Sequence, residues 1–127
     1  MANLNKVFLI GRLVADPQLN HTQGGTPFTR FRIAVNRPYR DRSGNWQEET
    51  LFIDVVYWGD AADRLVSRVN KGSRVLVEGS LRQSVWETES GEKRSKVEVR
   101  ADKVSPLDFR RESFQEEEIE EIDDIEF

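Results

Sequence analysis

The sequence predicts an all-β fold: a small five-stranded barrel plugged by one short helix and followed by an acidic tail. Three observations carry that expectation. Most of the chain alternates apolar and polar residues at period two, the mark of half-buried strands. One interior stretch, GDAADRLVSRVNKG, replaces the alternation with helical spacing. From Glu112 to Phe127 there are nine acidic residues and no basic one, too little apolar surface to build a core.

The elements follow in order. Residues 5–14 (NKVFLIGRLV) form the first strand segment and 27–37 (PFTRFRIAVNR) the second, separated by the turn-rich DPQLNHTQGGT. After PYRDRSGN comes the third segment, 47–58 (QEETLFIDVVYW). In the helical stretch Asp60 stands where a cap is needed and Asp63 falls in the first turn. Ala62, Leu65, Val66 and Val69 make one apolar stripe, and Gly72 closes the C-terminal end. Residues 73–86 (SRVLVEGSLRQSVW) and 94–104 (RSKVEVRADKV) are the last two strands, with ETESGE between them. Three strands, a helix and two strands make the OB-fold pattern, a five-stranded Greek-key barrel. A sandwich gives the helix no natural place. The expected division is a barrel domain over 1–109 and a disordered acidic tail over 110–127.

A chain of 127 residues holds one domain plus an appendage. Its net charge of −4 hides a split, because outside the tail 14 acidic residues face all 19 Lys and Arg, a net of +5. A basic body with an acidic tail implies two different partners. With no Cys, thiol chemistry and disulfides are excluded. MANLNKVFLI lacks a signal-peptide pattern and no apolar run is long enough for a bilayer, so the expected location is cytoplasmic, with no membrane partner.

Alternation also assigns faces. Phe31, Ile33 and Val35 point inward, opposite Arg30, Arg32 and Asn36; Val97, Val99 and Ala101 oppose Lys96, Glu98 and Arg100. The third strand sends Ile53, Val55 and Tyr57 inward, yet its outer face carries Phe52, Asp54, Val56 and Trp58. In the fourth, Val75, Val77, Leu81 and Val85 face inward, and Arg74, Glu78, Ser80, Arg82, Ser84 and Trp86 outward. Tyr39 stands among Arg37, Arg40 and Arg42 at the mouth of the loop ending at Trp46.

Two readings of these outward aromatics compete. Phe52, Trp58 and Trp86 could pack against a neighbouring subunit or the helix, since scattered surface apolar residues are ordinary. Alternatively they stack on unpaired bases while Arg30, Arg32, Arg37, Arg40, Arg42, Arg74, Arg82 and Lys96 neutralise phosphates. Four aromatics interleaved with cations favour stacking, and a duplex, whose bases are already stacked, suits such a surface poorly. An enzyme has little to work with. His21 is the only histidine and lies in a Gly-rich loop, while Asp54 and Asp60 are the carboxylates available for Mg²⁺. No catalytic residue, metal site or cofactor is expected. Single-stranded RNA remains a possible ligand, because stacking is indifferent to the sugar.

LNKVFLIGRLVADP, GGTPFTRFRIAVNRPYRD, VVYWGDAADRL, NKGSRVLVEGSLRQSVWE and the ending DDIEF together resemble the bacterial single-stranded DNA-binding proteins, from about Leu4 to Leu107 and again at the last five residues. The resemblance implies an OB-fold, a homotetramer that wraps single-stranded DNA, and a nucleoid-associated place in replication, recombination and repair. It also implies base stacking at Tyr39, Phe52, Trp58 and Trp86. The tip Asp123, Asp124, Ile125, Glu126 and Phe127 resembles the family's DDDIPF, with Ile122 and Glu126 standing where Asp and Pro would be. That tip implies docking of helicases, nucleases, primase or clamp loader, and recombination mediators. Such docking explains what a solubilising tail does not, an apolar ring at the end of an acidic run.

Overall fold

The computed structural model describes residues 2–107. Six strands and one helix run in the order β1 (Val7–Leu13), β2 (Leu19–His21), β3 (Pro27–Arg40), β4 (Trp46–Trp58), α1 (Asp60–Val66), β5 (Arg74–Glu87) and β6 (Lys93–Pro106). The sheet order is β1-β5-β6-β4-β3-β2, and a further β1–β3 pairing closes five of these strands into a barrel. Neighbours are antiparallel except β4 and β6. The architecture is that of the OB-fold. The 109/110 boundary and the whole tail, Asp123 to Phe127 included, lie outside the described residues.

Period-two alternation builds the core as expected. Leu13, Phe31, Ile33, Val55, Tyr57, Val75, Val77, Val99 and Ala101 are buried, joined from the helical segment by Ala62, Leu65 and Val69. Helix α1 lies against β2, β3 and β4. Two glycines are demanded by close approach rather than by turns. A Cβ at Gly11 would sit 2.8 Å from the Ala34 carbonyl oxygen, where β1 leaves β5 for β3. A Cβ at Gly79 would fall on the Arg100 carbonyl oxygen, beside a bulge that leaves Asp102 without a partner on β5. That extra residue explains why Ala101 and Val104, three apart, are both buried.

Several expectations are corrected. Asp60 does not cap the helix; Gly59 holds that position without a side-chain bond, and Asp60 and Asp63 both lie in the first turn. The helix ends at Val66 rather than running toward Gly72. The Ser67 hydroxyl donates to the Arg64 carbonyl at 2.8 Å, and the following backbone is drawn to the end of β1. There the Lys71 N–H donates to Asp16 Oδ1 at 2.6 Å and the Gly72 N–H to the Leu13 carbonyl at 2.8 Å. His21 ends a short strand, β2, instead of lying in a loop.

Strands β3, β4 and β6 are also longer than the alternation suggested. The first three residues of PYRDRSGN extend β3, and the rest is a tight turn where the Asp41 N–H donates to the Asn45 carbonyl at 2.9 Å. The β3–β4 and β5–β6 hairpins therefore run past the barrel as two arms. Leu81, Val85 and Val97 lie on the inward face, yet are 42, 66 and 53% exposed because no core lies beneath an arm. Asn5, ahead of β1, braces the second arm, its side-chain amide bonding both the N–H and the carbonyl of Leu81 at 2.9 Å.

Candidate nucleic-acid interface

The outer faces of β3, β4, β6 and β5 form one continuous surface. On β4 it carries Phe52 (59% exposed) and Trp58 (39%), with Asp54 and Val56 between them. Trp58 is not a free-standing ring. Phe28, opposite it on β3, stacks on one face of the indole with centroids 4.7 Å apart and planes at 28°. One aromatic face is thus held rigid and the other left open, as a stacking platform requires. The pattern PFTRFR already put Phe28 on the face of Arg30 and Arg32, but its place at the head of a strand beside a proline hid its role.

Trp86 lies at the far end of β5, 48% exposed, opposite Arg94. Arg82 and Lys96 share that face by register, since Arg82 pairs with Glu98 and Ser84 with Lys96. Tyr39 and Arg37 do not. The unbroken β3–β4 register places them, with Gln47 and Glu49, on the side that is the core face farther down. Trp46 and Arg40 instead continue the face of Phe52 and Trp58 into the arm, the Arg40 guanidinium 4.8 Å from the Trp46 ring centroid. Arg42 lies in the turn beyond. Arg74 is at the opposite end of β5 from Trp86, paired with Arg12 of β1 and apart from the cluster.

The cations are not bare. Arg32 Nε donates to Asp54 Oδ1 at 2.8 Å, and Lys96 pairs with the other oxygen of Asp54. Arg30 lies 3.5 Å from Glu98, and Arg37 Nε donates to Glu49 Oε1 at 2.6 Å. The hydrogen bond from Arg32, supplemented by Lys96, holds the Asp54 carboxyl below its ordinary pKa against the opposing effect of burial. The same bond raises the Arg32 guanidinium. Such pairs fix the direction of flexible side chains, and a phosphate must then displace or share a carboxylate. Among the described residues Arg40, Arg42, Arg82 and Arg100 make no ion pair.

The candidate acid–base and Mg²⁺ residues lie on three different elements, β4, α1 and β2. Asp54 is committed to two cations, Asp60 to the first turn of α1, and His21 to the exposed end of β2. Among the described residues no three metal-ligating side chains gather, and no helix is long and apolar enough to cross a membrane.

Comparison with known proteins agrees with this geometry. Residues 4–107 match the model of the single-strand binding protein family. A single-stranded DNA-binding protein of Aquifex aeolicus is 44% identical over 124 residues, 97% of this chain and 84% of the relative. That of Thermotoga maritima is 44% identical over 108 residues, 85% of this chain and 77% of the relative. The Treponema pallidum protein is 46% identical over 108 residues, 84% of this chain and 60% of the relative. Among solved structures, the Plasmodium falciparum SSB complex with ssDNA superposes with a TM-score of 0.77 at 28% identity, covering 85% of this chain and 98% of that one. The single-stranded DNA binding protein from Thermus aquaticus gives 0.73 at 37%, this chain spanning 52% of its length. These relatives are named as binding proteins, in keeping with a non-enzymatic chain. A family match across the whole barrel, with relatives of this identity over most of its length, settles kinship: the chain belongs to the single-strand binding protein family.

Proposed function

We propose that this protein binds single-stranded DNA along the outer face of β3, β4, β6 and β5, and that it recruits partner enzymes through its acidic tip. The observation that carries the DNA reading is Trp58, braced on one side by Phe28 and open on the other, beside Arg30 and Arg32. Phe52, Trp46 and Trp86 extend the stacking surface, each base contributing about 1–3 kcal/mol whatever its identity. Arg40, Arg42 and Arg82 take phosphates directly, while Arg30, Arg32 and Lys96 exchange a carboxylate for one. Tyr39 and Arg37, on the other side of the arm, engage a strand that wraps the hairpin; Arg74 takes only an outlying phosphate.

Homotetramer assembly is part of the same proposal. Away from this surface Phe8 (62% exposed) and Ile10 (50%) lie beside Leu76 on the outer face of β1 and β5, an apolar patch suited to another copy of the chain. The barrel over 1–109 binds DNA, and the tail over 110–127 presents Asp123, Asp124, Ile125, Glu126 and Phe127 to replication, recombination and repair proteins in a bacterial cytoplasm. Competition among labelled single-stranded DNA, single-stranded RNA and duplex of equal length tests the ligand. Single-stranded DNA should win clearly. Parity with duplex refutes the surface, and preference for RNA moves the protein to another process. Recovery of the same partners by wild type and Phe127→Ala in a pull-down refutes the docking tip.

A further inference from the structure

The row of stacking rings on β4 is interrupted by a carboxylate. Alternation puts Phe52, Asp54, Val56 and Trp58 on one side of the strand, so Asp54 falls between the two rings. Its side chain is only 11% exposed, and cations from two other strands converge on it. Arg32, directly opposite on β3, donates from Nε to Oδ1 at 2.8 Å and from a terminal nitrogen to Oδ2 at 3.5 Å. Lys96 of β6 pairs with Oδ2 as well. Such a cluster satisfies its own burial, but apolar side chains of similar volume would hold the strands together as well or better. Stability alone therefore gives no reason to place an anion in the middle of a surface that collects anions.

We infer that Asp54 is a built-in phosphate surrogate: it occupies Arg32 and Lys96 in the free protein and yields them to the backbone of an incoming strand, which limits affinity and hastens release. The inference rests on the single-strand reading above. A carboxylate and a phosphodiester each present one negative charge and two acceptor oxygens, the arrangement that a guanidinium fork matches. The exchange is thus charge for charge. Each bond that Arg32 or Lys96 makes to DNA replaces one made to Asp54, and the strand gains little from either cation. Net affinity then comes from the stacked rings and from Arg40, Arg42 and Arg82, which make no ion pair among the described residues. The alternative is a positioning role, in which Asp54 aims the two cations and stays with them when DNA binds. The two roles predict opposite signs: loss of a surrogate tightens binding, and loss of a positioning residue weakens it.

Titration of labelled oligo(dT) with full-length wild type and Asp54→Asn decides between them. Asn keeps the shape and one acceptor oxygen but removes the charge that holds both cations, so affinity should rise about three- to tenfold at low salt. The slope of log K against log[salt] should steepen by about 0.7 for each cation freed, and stopped-flow dissociation should slow. Asp102→Asn is the charge-matched control. Asp102 pairs with Lys6 at 3.4 Å and is 64% exposed, farther along β6 from Lys96, so its loss should change affinity less than about twofold. A second variant guards against failure of the first to fold. Asp54→Asn with Lys96→Gln keeps the wild-type net charge and should bind within about twofold of wild type, whereas loss of a positioning residue and a phosphate ligand together should weaken binding about tenfold. Affinity lowered or unchanged in Asp54→Asn, an equal gain in Asp102→Asn, or a tenfold loss in the double variant overturns the surrogate and leaves the single-strand reading standing. If wild type binds no oligo(dT), both fall together.

Discussion

Trp58 and Trp86 are set differently in the fold, and replacing each with Ala separates their contributions. Trp58 is 39% exposed and stacked on Phe28 at 4.7 Å, so truncation removes a ring pair as well as partial burial. An aromatic pair contributes about 0.5–1.5 kcal/mol beyond the area it buries. With the lost burial added, Trp58→Ala should cost about 1–3 kcal/mol of stability. Trp86 stands on an arm that runs past the barrel, 48% exposed, without such a ring beneath it. Its replacement should stay within about 0.5 kcal/mol of wild type, as for ordinary surface changes. Both variants should nevertheless lose about 1–3 kcal/mol of single-strand affinity, because each removes one stacked base. Urea unfolding gives the stability differences, and titration of a labelled oligonucleotide gives the affinities. If Trp86→Ala unfolds as early as Trp58→Ala and both bind DNA like wild type, the rings are packing residues and the platform does not exist.

Three further perturbations test other parts of the molecule. Gly79→Ala would drive a Cβ into the Arg100 carbonyl oxygen, so it should destabilise the barrel by about 1–3 kcal/mol or more; a melting temperature unchanged in a thermal scan would contradict the close β5–β6 approach. Asp54 has a folded pKa below its unfolded one, so its contribution is full at neutral pH and is lost as pH falls through the carboxylate range to the lowered folded value. The stability gap between wild type and Asp54→Asn should therefore narrow with acid in denaturant unfolding at graded pH, and a constant gap would mean the cluster does not shift Asp54. Deleting 112–127 removes nine acidic residues from a basic body, so DNA binding should tighten at low salt and the gain should shrink as screening rises. Phe127→Ala, which changes no charge, should leave DNA affinity untouched.

The barrel was legible because every core strand alternates, and a half-buried strand has no other way to satisfy both faces. Alternation reports the face of a residue, not what covers that face. Leu81, Val85 and Val97 were therefore placed on the right side of their strands and wrongly supposed to be covered, since nothing local tells an arm from a wall. Asp60 looked like a cap by residue type, but the chain turns into the helix one residue earlier at Gly59. The three residues of β2 are too few to display a period. Trp58, Phe52 and Trp86 stood out as large apolar side chains on charged faces. The partners that decide how they work are non-local: Phe28 on the facing strand, and Asp54 gathering Arg32 from β3 and Lys96 from β6. Reading PYRDRSGN as a loop obscured the register, which separates Tyr39 from the other aromatics and puts Trp46 with them.

Quenching of intrinsic tryptophan fluorescence by oligo(dT) of graded length tests single-strand stacking most directly, since Trp46, Trp58 and Trp86 are all at least 39% exposed. Stacking predicts deep, saturable quenching that grows with length until the face is filled. Its affinity should fall with salt at about −0.7 in log K per phosphate contact. Duplex of the same length should quench far less. Unquenched fluorescence at saturating oligo(dT), or equal quenching by duplex, would contradict the proposal that this face stacks unpaired bases.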